Sequence, residues 1–301
     1  MPDLRIHLFQ RFNVAYNASE VEGWGSQKAQ ELMCYLLLFR DRAHHREVLA
    51  SQLWEQGSSS TVKKNLRQVL WQVNSALLHT NQSPGIEILL IDSDWIQVNV
   101  KADYWLDVAE FERAYHSVTG KKGFELSQSE AQRLATAVQL YRGHLLEGWY
   151  HGWCVYERER LHNIYLVMLD KLLGFSAEGQ HYDVGLYFGA LALRSDPARE
   201  CTHRRLMRLH YLSGHRSSAL RQYEVCCAAL RDELGVEPTY TTKRLYEDIC
   251  QERTDAVAFH RFISPRAEKA NEDVATQIRR LQTTIDYVQD QLTQLKRTLP
   301  P

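Results

Sequence analysis

The stretch SSTVKKNLRQVLWQVNSALL, residues 59–78, has the pattern of one amphipathic helix. Its apolar side chains recur every three or four residues, which places them on one face of a helix: Val62, Leu66, Val69, Leu70, Val73 and Leu77. The opposite face carries Ser60, Lys64, Arg67, Gln68, Trp71 and Ser75, with Lys63 and Asn74 on its flanks. The hydroxyl of Ser59 or Ser60 is expected to cap the helix, because it can accept from an unpaired amide of the first turn.

The polar face of this helix suits DNA, because it carries cations and no carboxylate lies between Glu55 and Glu87. Lysine and arginine neutralise phosphates, and arginine and glutamine can read base edges. The chain has a net charge of −1, so any DNA affinity must come from a local patch around Lys63, Lys64 and Arg67. A solvated surface helix that happens to lack acids is the alternative, and the surrounding sequence must decide.

The composition is that of a globular chain long enough for two domains, with 301 residues of which 44% are hydrophobic. No apolar run approaches the roughly 20 residues that span a bilayer, and no signal-peptide pattern opens the chain. The six cysteines form no Cys-x-x-Cys pair, as expected of free thiols in a reducing compartment. We therefore expect a cytoplasmic protein without a membrane partner.

The segments around the long helix predict a winged helix over residues 1–104. Strands are expected at 4–8, 12–16 and 21–24, followed by helices that begin at Ser26 and near His45. After the long helix, two β-rich runs flank the turn Asp92-Ser93-Asp94 and predict a hairpin. In a winged helix of this order, the third helix enters the major groove and the hairpin lies beside it as the wing.

From Asp107 the pattern is helical, and two segments look like repeats. Small and aromatic residues share the same offsets after two glycines that lie 35 residues apart (179 to 214): Gly179, Val184, Phe188 and Leu191, then Gly214, Ala219, Tyr223 and Cys226. This period is close to that of tetratricopeptide repeats. It predicts an all-α, tetratricopeptide-like domain over 105–251, with two unrelated helix pairs as the alternative.

The end of the chain has a heptad pattern behind a polar linker at 252–273. Apolar residues alternate steps of four and three over 274–299: Val274, Ile278, Leu281, Ile285, Val288, Leu292, Leu295 and Leu299. They predict a coiled-coil helix that joins a homodimer or a higher oligomer. A single amphipathic helix folded back on the repeats stays open as the alternative. The expected architecture is mainly α with a small β component: winged helix, helical repeats, coiled coil.

Blocks of the sequence carry a resemblance to a known family. The DNA-binding half of transcriptional activators of the Streptomyces antibiotic regulatory protein type resembles KAQEL (28–32), YLLL (35–38), REVL (46–49), LW (53–54) and NLRQVLW (65–71). The bacterial transcriptional activator domain resembles LYRG (140–143), ERERL (157–161), RLMRLHY (205–211), GH (214–215), ALRQY (219–223) and DELGVEP (232–238). Such proteins usually have arginine pairs near the end of the long helix, where this chain has Gln72, Asn74 and Ser75.

The resemblance implies a DNA-binding regulator, probed by residues that the helix pattern selects. Ser60, Lys64, Arg67, Gln68 and Trp71 are expected to face bases and nearby phosphates, and Lys63, His45 and Arg46 to position the helix on the DNA backbone. The resemblance further implies that the helical repeats join neighbouring protomers and contact RNA polymerase on repeated promoter sites. The alternative is a helical-repeat interaction adaptor or ligand sensor whose DNA binding is weak or lost.

No enzyme signature is present in the sequence. It contains neither a Gly-x-x-x-x-Gly-Lys-Ser/Thr phosphate loop nor a Gly-x-Ser-x-Gly elbow. The thirteen histidines include pairs such as His203 and His210, but no third ligand follows at a suitable spacing. We therefore expect no catalytic residue, no metal site and no cofactor.

Overall fold

The structure is a computed structural model that describes residues 2–17, 19–21, 23–54, 58–80 and 87–253. The predicted coiled coil at 274–299, and all of the predicted linker beyond residue 253, lie outside the described residues. The chain forms two compact units. Unit 1 comprises Met1–Gly179 and Tyr187–Ser195, and unit 2 comprises Gln180–Leu186 and the chain from Asp196.

A four-stranded sheet opens unit 1, in the order β3-β2-β1-β7. β1 (Leu4–His7) pairs antiparallel with β2 (Asn13–Tyr16), and β2 pairs in turn with β3 (Ser19–Glu20). The predicted strand at 21–24 is wrong, because the chain turns at Asn17, which has φ of 49°, and β3 pairs back at once. β7 (Tyr104–Leu106) runs parallel to β1 and was missed by the sequence analysis. The predicted domain boundary after residue 104 falls inside this strand.

Three helices and a second sheet complete the winged helix. The helices are α1 (Gln27–Leu38), α2 (Arg46–Leu53) and α3 (Ser59–Thr80). The second sheet has the order β4-β6-β5, built from β4 (His44–His45), β5 (Leu89–Ile91) and β6 (Trp95–Val98). The hairpin of β5 and β6 is the wing, and it turns at Asp92, Ser93 and Asp94 as predicted.

The phase of α3 agrees with its apolar pattern, because every residue of the predicted stripe is buried: Val62, Leu66, Val69, Leu70, Val73 and Leu77. α1 begins after Ser26, whose hydroxyl accepts from the Ala29 amide as predicted for a cap. The prediction for the start of α3 is wrong by one residue. The Ser58 hydroxyl accepts from the Thr61 amide, so Ser58 is the cap rather than Ser59 or Ser60.

Four further helices follow β7 along the chain: α4 (Asp107–His116), α5 (Gln128–Val138), α6 (Gly152–Glu178) and α7 (Tyr182–Ser195). α5 starts with a capping box, in which Ser127 accepts from the Glu130 amide and the Glu130 carboxylate accepts from the Ser127 amide. α6 contributes a long apolar face to the core of unit 1, with Leu161, Met168, Leu169 and Leu172 buried.

Unit 2 is built from α8 (Glu200–Leu212), α9 (Arg216–Leu234) and α10 (Tyr240–Cys250). Met207, Ala219, Leu245 and Ile249 form its core, and Tyr223 stacks on Tyr246 with ring centroids 4.2 Å apart. α9 ends at Gly235, whose φ of 67° is left-handed and favours glycine at a helix C-terminus. Ala219 and Cys226 of the second predicted repeat are buried, while Val184 of the first is exposed.

Candidate nucleic-acid interface

The outward face of α3 is exposed and cationic. Ser60, Lys64, Arg67 and Gln68 are exposed, and Trp71 exposes 69% of its surface although it is a large apolar residue. In the described part of the chain, no acid pairs with Lys64 or Arg67. Because the buried stripe holds the helix from the opposite side, these side chains project from a well-supported element. We call Ser60, Lys64, Arg67, Gln68 and Trp71 the α3 strip.

Lys63, on the flank of the α3 strip, is paired with an acid of α2. Its ammonium lies 2.5 Å from the Glu47 carboxylate, and the two side chains are 48% and 60% exposed. The hydrogen bond from Lys63 and its charge lower the pKa of Glu47 below the ordinary value. The sequence analysis saw no acid within α3, but it could not see that α2 places one against this lysine.

His45 and Arg46, predicted to touch the DNA backbone, are engaged by the wing. The Arg46 amide donates to the Asp94 carbonyl at 2.8 Å, and its guanidinium donates to the Asp92 carbonyl at 3.0 Å. His45 pairs with Trp95 in the ladder of β4 and β6, and the two rings meet edge to face at 5.2 Å. Both residues therefore hold the wing turn against the start of α2.

Gln72 stands where relatives have arginine, and it works inside the fold. Its side-chain oxygen accepts from the Ser26 hydroxyl at 2.7 Å, which ties α3 to the start of α1. Gly25 lies directly against it, and a Cβ on Gly25 would come within 3.0 Å of the Gln72 side chain. The amide thus fills a close approach between α3 and the chain before α1.

Asp107 joins the start of β1's following loop to α4. Its buried carboxylate accepts from the amides of Leu8, Phe9 and Val108 at 2.7–3.0 Å, and His7 lies 3.7 Å away. Burial raises the pKa of Asp107 to about 6, although the three amides pull it downward. The sequence analysis proposed Asp107 as a helix cap, but its main partners lie 98 and 99 positions earlier.

Two further ionic contacts connect the winged helix to α4 and α6 within unit 1. The buried Glu31 of α1 lies 2.7 Å from Lys28 and 3.4 Å from His151 at the start of α6. Arg40 and Arg160 both donate to Glu112, and Arg160 also pairs with Glu157 at 2.7 Å. These contacts place the predicted DNA-binding domain on the first helices of the helical domain.

Neither a metal centre nor a membrane segment is found in the ranges that the structure describes. There, no group of three or more His, Cys, Asp or Glu side chains could hold a metal ion. Likewise, no helix among these residues is long and apolar enough to cross a bilayer.

Known proteins share both the sequence and the fold of this chain. The bacterial transcriptional activator domain matches residues 106–250. The transcriptional regulatory proteins MoaR1 of Mycobacterium tuberculosis and Mycobacterium bovis are each 26% identical over 239 residues, which cover 76% of this chain and 73% of theirs.

A solved structure extends the likeness to the fold. Mycobacterium tuberculosis EmbR, in complex with a low affinity phosphopeptide, superposes with a TM-score of 0.59 at 20% identity. The match covers 84% of this chain and 66% of the EmbR chain, so this chain spans just under two thirds of that protein's length. The chain therefore contains a bacterial transcriptional activator domain and is a transcriptional regulator of the Streptomyces antibiotic regulatory protein type.

Proposed function

We propose that this regulator binds double-stranded DNA through the α3 strip and activates transcription by recruiting RNA polymerase. The observation that carries the proposal is a solvent-facing row of Lys64, Arg67, Gln68 and Trp71 with no acid against Lys64 or Arg67 in the described residues. A helix of about this width fits the major groove, where arginine pairs with guanine, glutamine with adenine, and an apolar side chain contacts the thymine methyl.

The structure supports a division of labour among the residues that the sequence analysis selected. Lys64, Arg67, Gln68, Trp71 and Ser60 are free to meet DNA in this proposal. Lys63 is held by Glu47, and His45 and Arg46 are held by the wing. We assign these three to the support of the reading helix, with Lys63 released to a phosphate only when the Glu47 pair opens.

The helical domain and the coiled coil complete the proposed mechanism. Neighbouring protomers on repeated promoter sites would meet through the helical repeats, which would also contact RNA polymerase. The heptad seam at 274–299 would hold a homodimer or a higher oligomer, and it would raise the effective concentration of a second winged helix at a second site.

The DNA-binding proposal is tested by single substitutions measured on two DNAs. One is a genomic fragment that the full chain retains, and the other is a random duplex at the same salt concentration. Lys64→Ala should weaken both equally and reduce the slope of log affinity against log salt by about one. Arg67→Ala and Gln68→Ala should each cost about 1–3 kcal/mol on the retained fragment and much less on the random duplex.

Arg133→Ala is the matched control for this experiment, because Arg133 is an exposed cation on α5. It should leave both affinities and the salt slope unchanged. If Arg67→Ala weakens the two DNAs equally, Arg67 contacts the backbone rather than a base. If none of the three α3 substitutions changes binding, α3 is not the reading helix.

A second candidate function is an interaction adaptor or ligand sensor without DNA binding. The engagement of Lys63, His45 and Arg46 inside the protein favours it, since it reduces the cations available to phosphates. A salt titration with genomic fragments separates the two functions. The adaptor shows no saturable binding even at low salt, whereas the regulator binds and loses affinity steeply as salt rises.

A further inference from the structure

The wing of this protein carries the wrong charge for a phosphate backbone. Residues 87–98 include Glu87, Asp92 and Asp94 but neither lysine nor arginine. All three carboxylates are exposed. A hairpin that lies along DNA gains affinity from cations that displace counterions, and carboxylates in that place are repelled by phosphates. The charge of the wing therefore argues against a DNA contact.

The acidic turn has a defined geometry. The Asp92 carboxylate accepts from the amides of Trp95 and Asp94 at 2.7 and 3.0 Å, and these bonds hold its pKa below the ordinary value. The Asp94 carbonyl accepts from the Arg46 amide, and the Asp92 carbonyl accepts from the Arg46 guanidinium. The carboxylate of Asp92 thus stays negative, and the turn is anchored to α2.

Large apolar side chains surround these carboxylates. Leu90, Ile91 and Trp95 expose 45%, 36% and 47% of their surfaces. Their strand neighbours Leu89, Ile96 and Val98 are buried, so the hairpin has a core face and a second apolar face turned to solvent. An exposed tryptophan and aliphatic residues with charges at the rim have the composition of a protein-binding hot spot.

We propose that Leu90, Ile91, Asp92, Asp94 and Trp95, here called the wing-tip surface, bind a cationic protein surface that contains an apolar pocket. The proposal rests on the proposed function, because it takes the partner to be RNA polymerase holoenzyme bound at the same promoter. Charge complementarity selects the partner: DNA has the wrong sign, and a neighbouring copy of this chain commits its α3 strip to DNA. The contact adds to the one that the helical domain is expected to make.

Site-specific photo-crosslinking tests the partner directly. A benzophenone amino acid replaces the exposed Ser93 in the full chain, which is bound to a retained genomic DNA fragment together with the RNA polymerase holoenzyme of the source organism. A second variant carries the same group at Gln68 and reports on DNA contact by α3. We expect position 93 to label a polymerase subunit and position 68 to label DNA.

The possible labels separate failure of the wing proposal from failure of the DNA-binding proposal. If position 68 labels DNA but position 93 labels DNA, a second copy of the chain, or nothing, the wing-tip surface does not bind polymerase. If position 68 also fails to label DNA and the chain retains no fragment, the proposed function itself falls, and the wing proposal falls with it.

Substitutions supply an independent measurement on the same complex. Asp94→Lys and Leu90→Ser should each lower the position 93 polymerase adduct and the transcript yield in vitro at least fivefold. Affinity for the DNA fragment should stay within about twofold for Leu90→Ser. Glu87→Gln, which removes an acid away from the turn, is the matched control and should change neither the adduct nor the yield. Unchanged adducts in both test variants would overturn the proposal.

Discussion

At the residue scale, the pair of Lys63 and Glu47 sets how much charge the protein offers to DNA. The two groups are 2.5 Å apart and both are partly exposed, so their pairing contributes little to stability. Its consequence for DNA is larger, because a lysine held by an acid displaces no counterion. The pair therefore reduces non-specific binding while leaving Arg67 and Gln68 to read bases.

We predict that Glu47→Gln strengthens binding to random duplex DNA at low salt. Lys63 is then free to meet a phosphate, so the slope of log affinity against log salt should become steeper by about one. Fluorescence anisotropy over a salt series measures this slope. The double variant with Lys63→Gln should return to the wild-type slope. A steeper slope that persists in the double variant would show that Glu47 acts on DNA without Lys63.

His203 in unit 2 has a neutral ring whose two nitrogens are both engaged. One nitrogen lies 2.8 Å from the Pro197 carbonyl, which requires an N–H there, and the other lies 2.7 Å from the Gln222 amide nitrogen and accepts from it. Burial lowers the pKa of His203 below its ordinary value of 6.5. The unfolded chain therefore takes up this proton first as the pH falls.

We predict that unit 2 loses stability as the pH falls below about 6.5, because protonation of His203 is favoured in the unfolded state. Above that pH the contribution of His203 is fully present. Urea unfolding followed by circular dichroism at pH 7.5 and 5.5 measures the loss, which should be smaller in His203→Gln. His215→Gln, at an exposed histidine, should retain the wild-type loss. Equal losses in all three proteins would rule out His203 as the group concerned.

At the scale of elements, Asp107 joins α4 to the residues that follow β1. Its carboxylate satisfies the amides of Leu8 and Phe9, which have left the β1 ladder and lie in the buried interior. β7, immediately before Asp107, runs beside β1 in parallel. The winged helix and the helical domain are thereby fastened at one point by both a strand pair and a carboxylate.

We predict that Asp107→Ala lowers the free energy of unfolding of unit 1 by on the order of 2–4 kcal/mol, because two buried amides lose their acceptor. All seven tryptophans lie in unit 1, so their fluorescence follows this unit in a urea titration. At pH 7.5, above the raised pKa of about 6, Asp107 is ionised. Asp103→Ala, at an exposed acid, should cost less than about 0.5 kcal/mol. Similar costs for both would contradict the role of Asp107.

At the scale of the whole molecule, oligomeric state is predicted from the heptad pattern alone. Truncation after Ser264 removes the seam and should lower the mass measured by light scattering, while circular dichroism shows that the helical units remain folded. Ile285→Asp in the full chain should act like the truncation, because a charge in the seam is desolvated without a partner. An unchanged mass in both proteins would mean that the segment does not join protomers.

The sequence by itself determined the elements whose signals are local. The period of the apolar residues predicted the length and the buried face of α3, since a regular helix converts spacing directly into direction. The cap at Ser26 and the turn at Asp92-Ser93-Asp94 were predictable for the same reason, because each depends on a few neighbouring residues. The blocks that resemble the activator family added the order of the domains.

Only the tertiary structure decided which side chains meet across elements. Asp107 with Leu8 and Phe9, Gln72 with Ser26, Lys63 with Glu47, and Arg46 with the wing turn are pairs distant in the sequence. Periodicity gives the face on which a residue lies, but the partner depends on how packed elements are displaced and rotated against each other. For that reason the α3 strip could be predicted from spacing, whereas the engagement of Lys63, His45 and Arg46 could not.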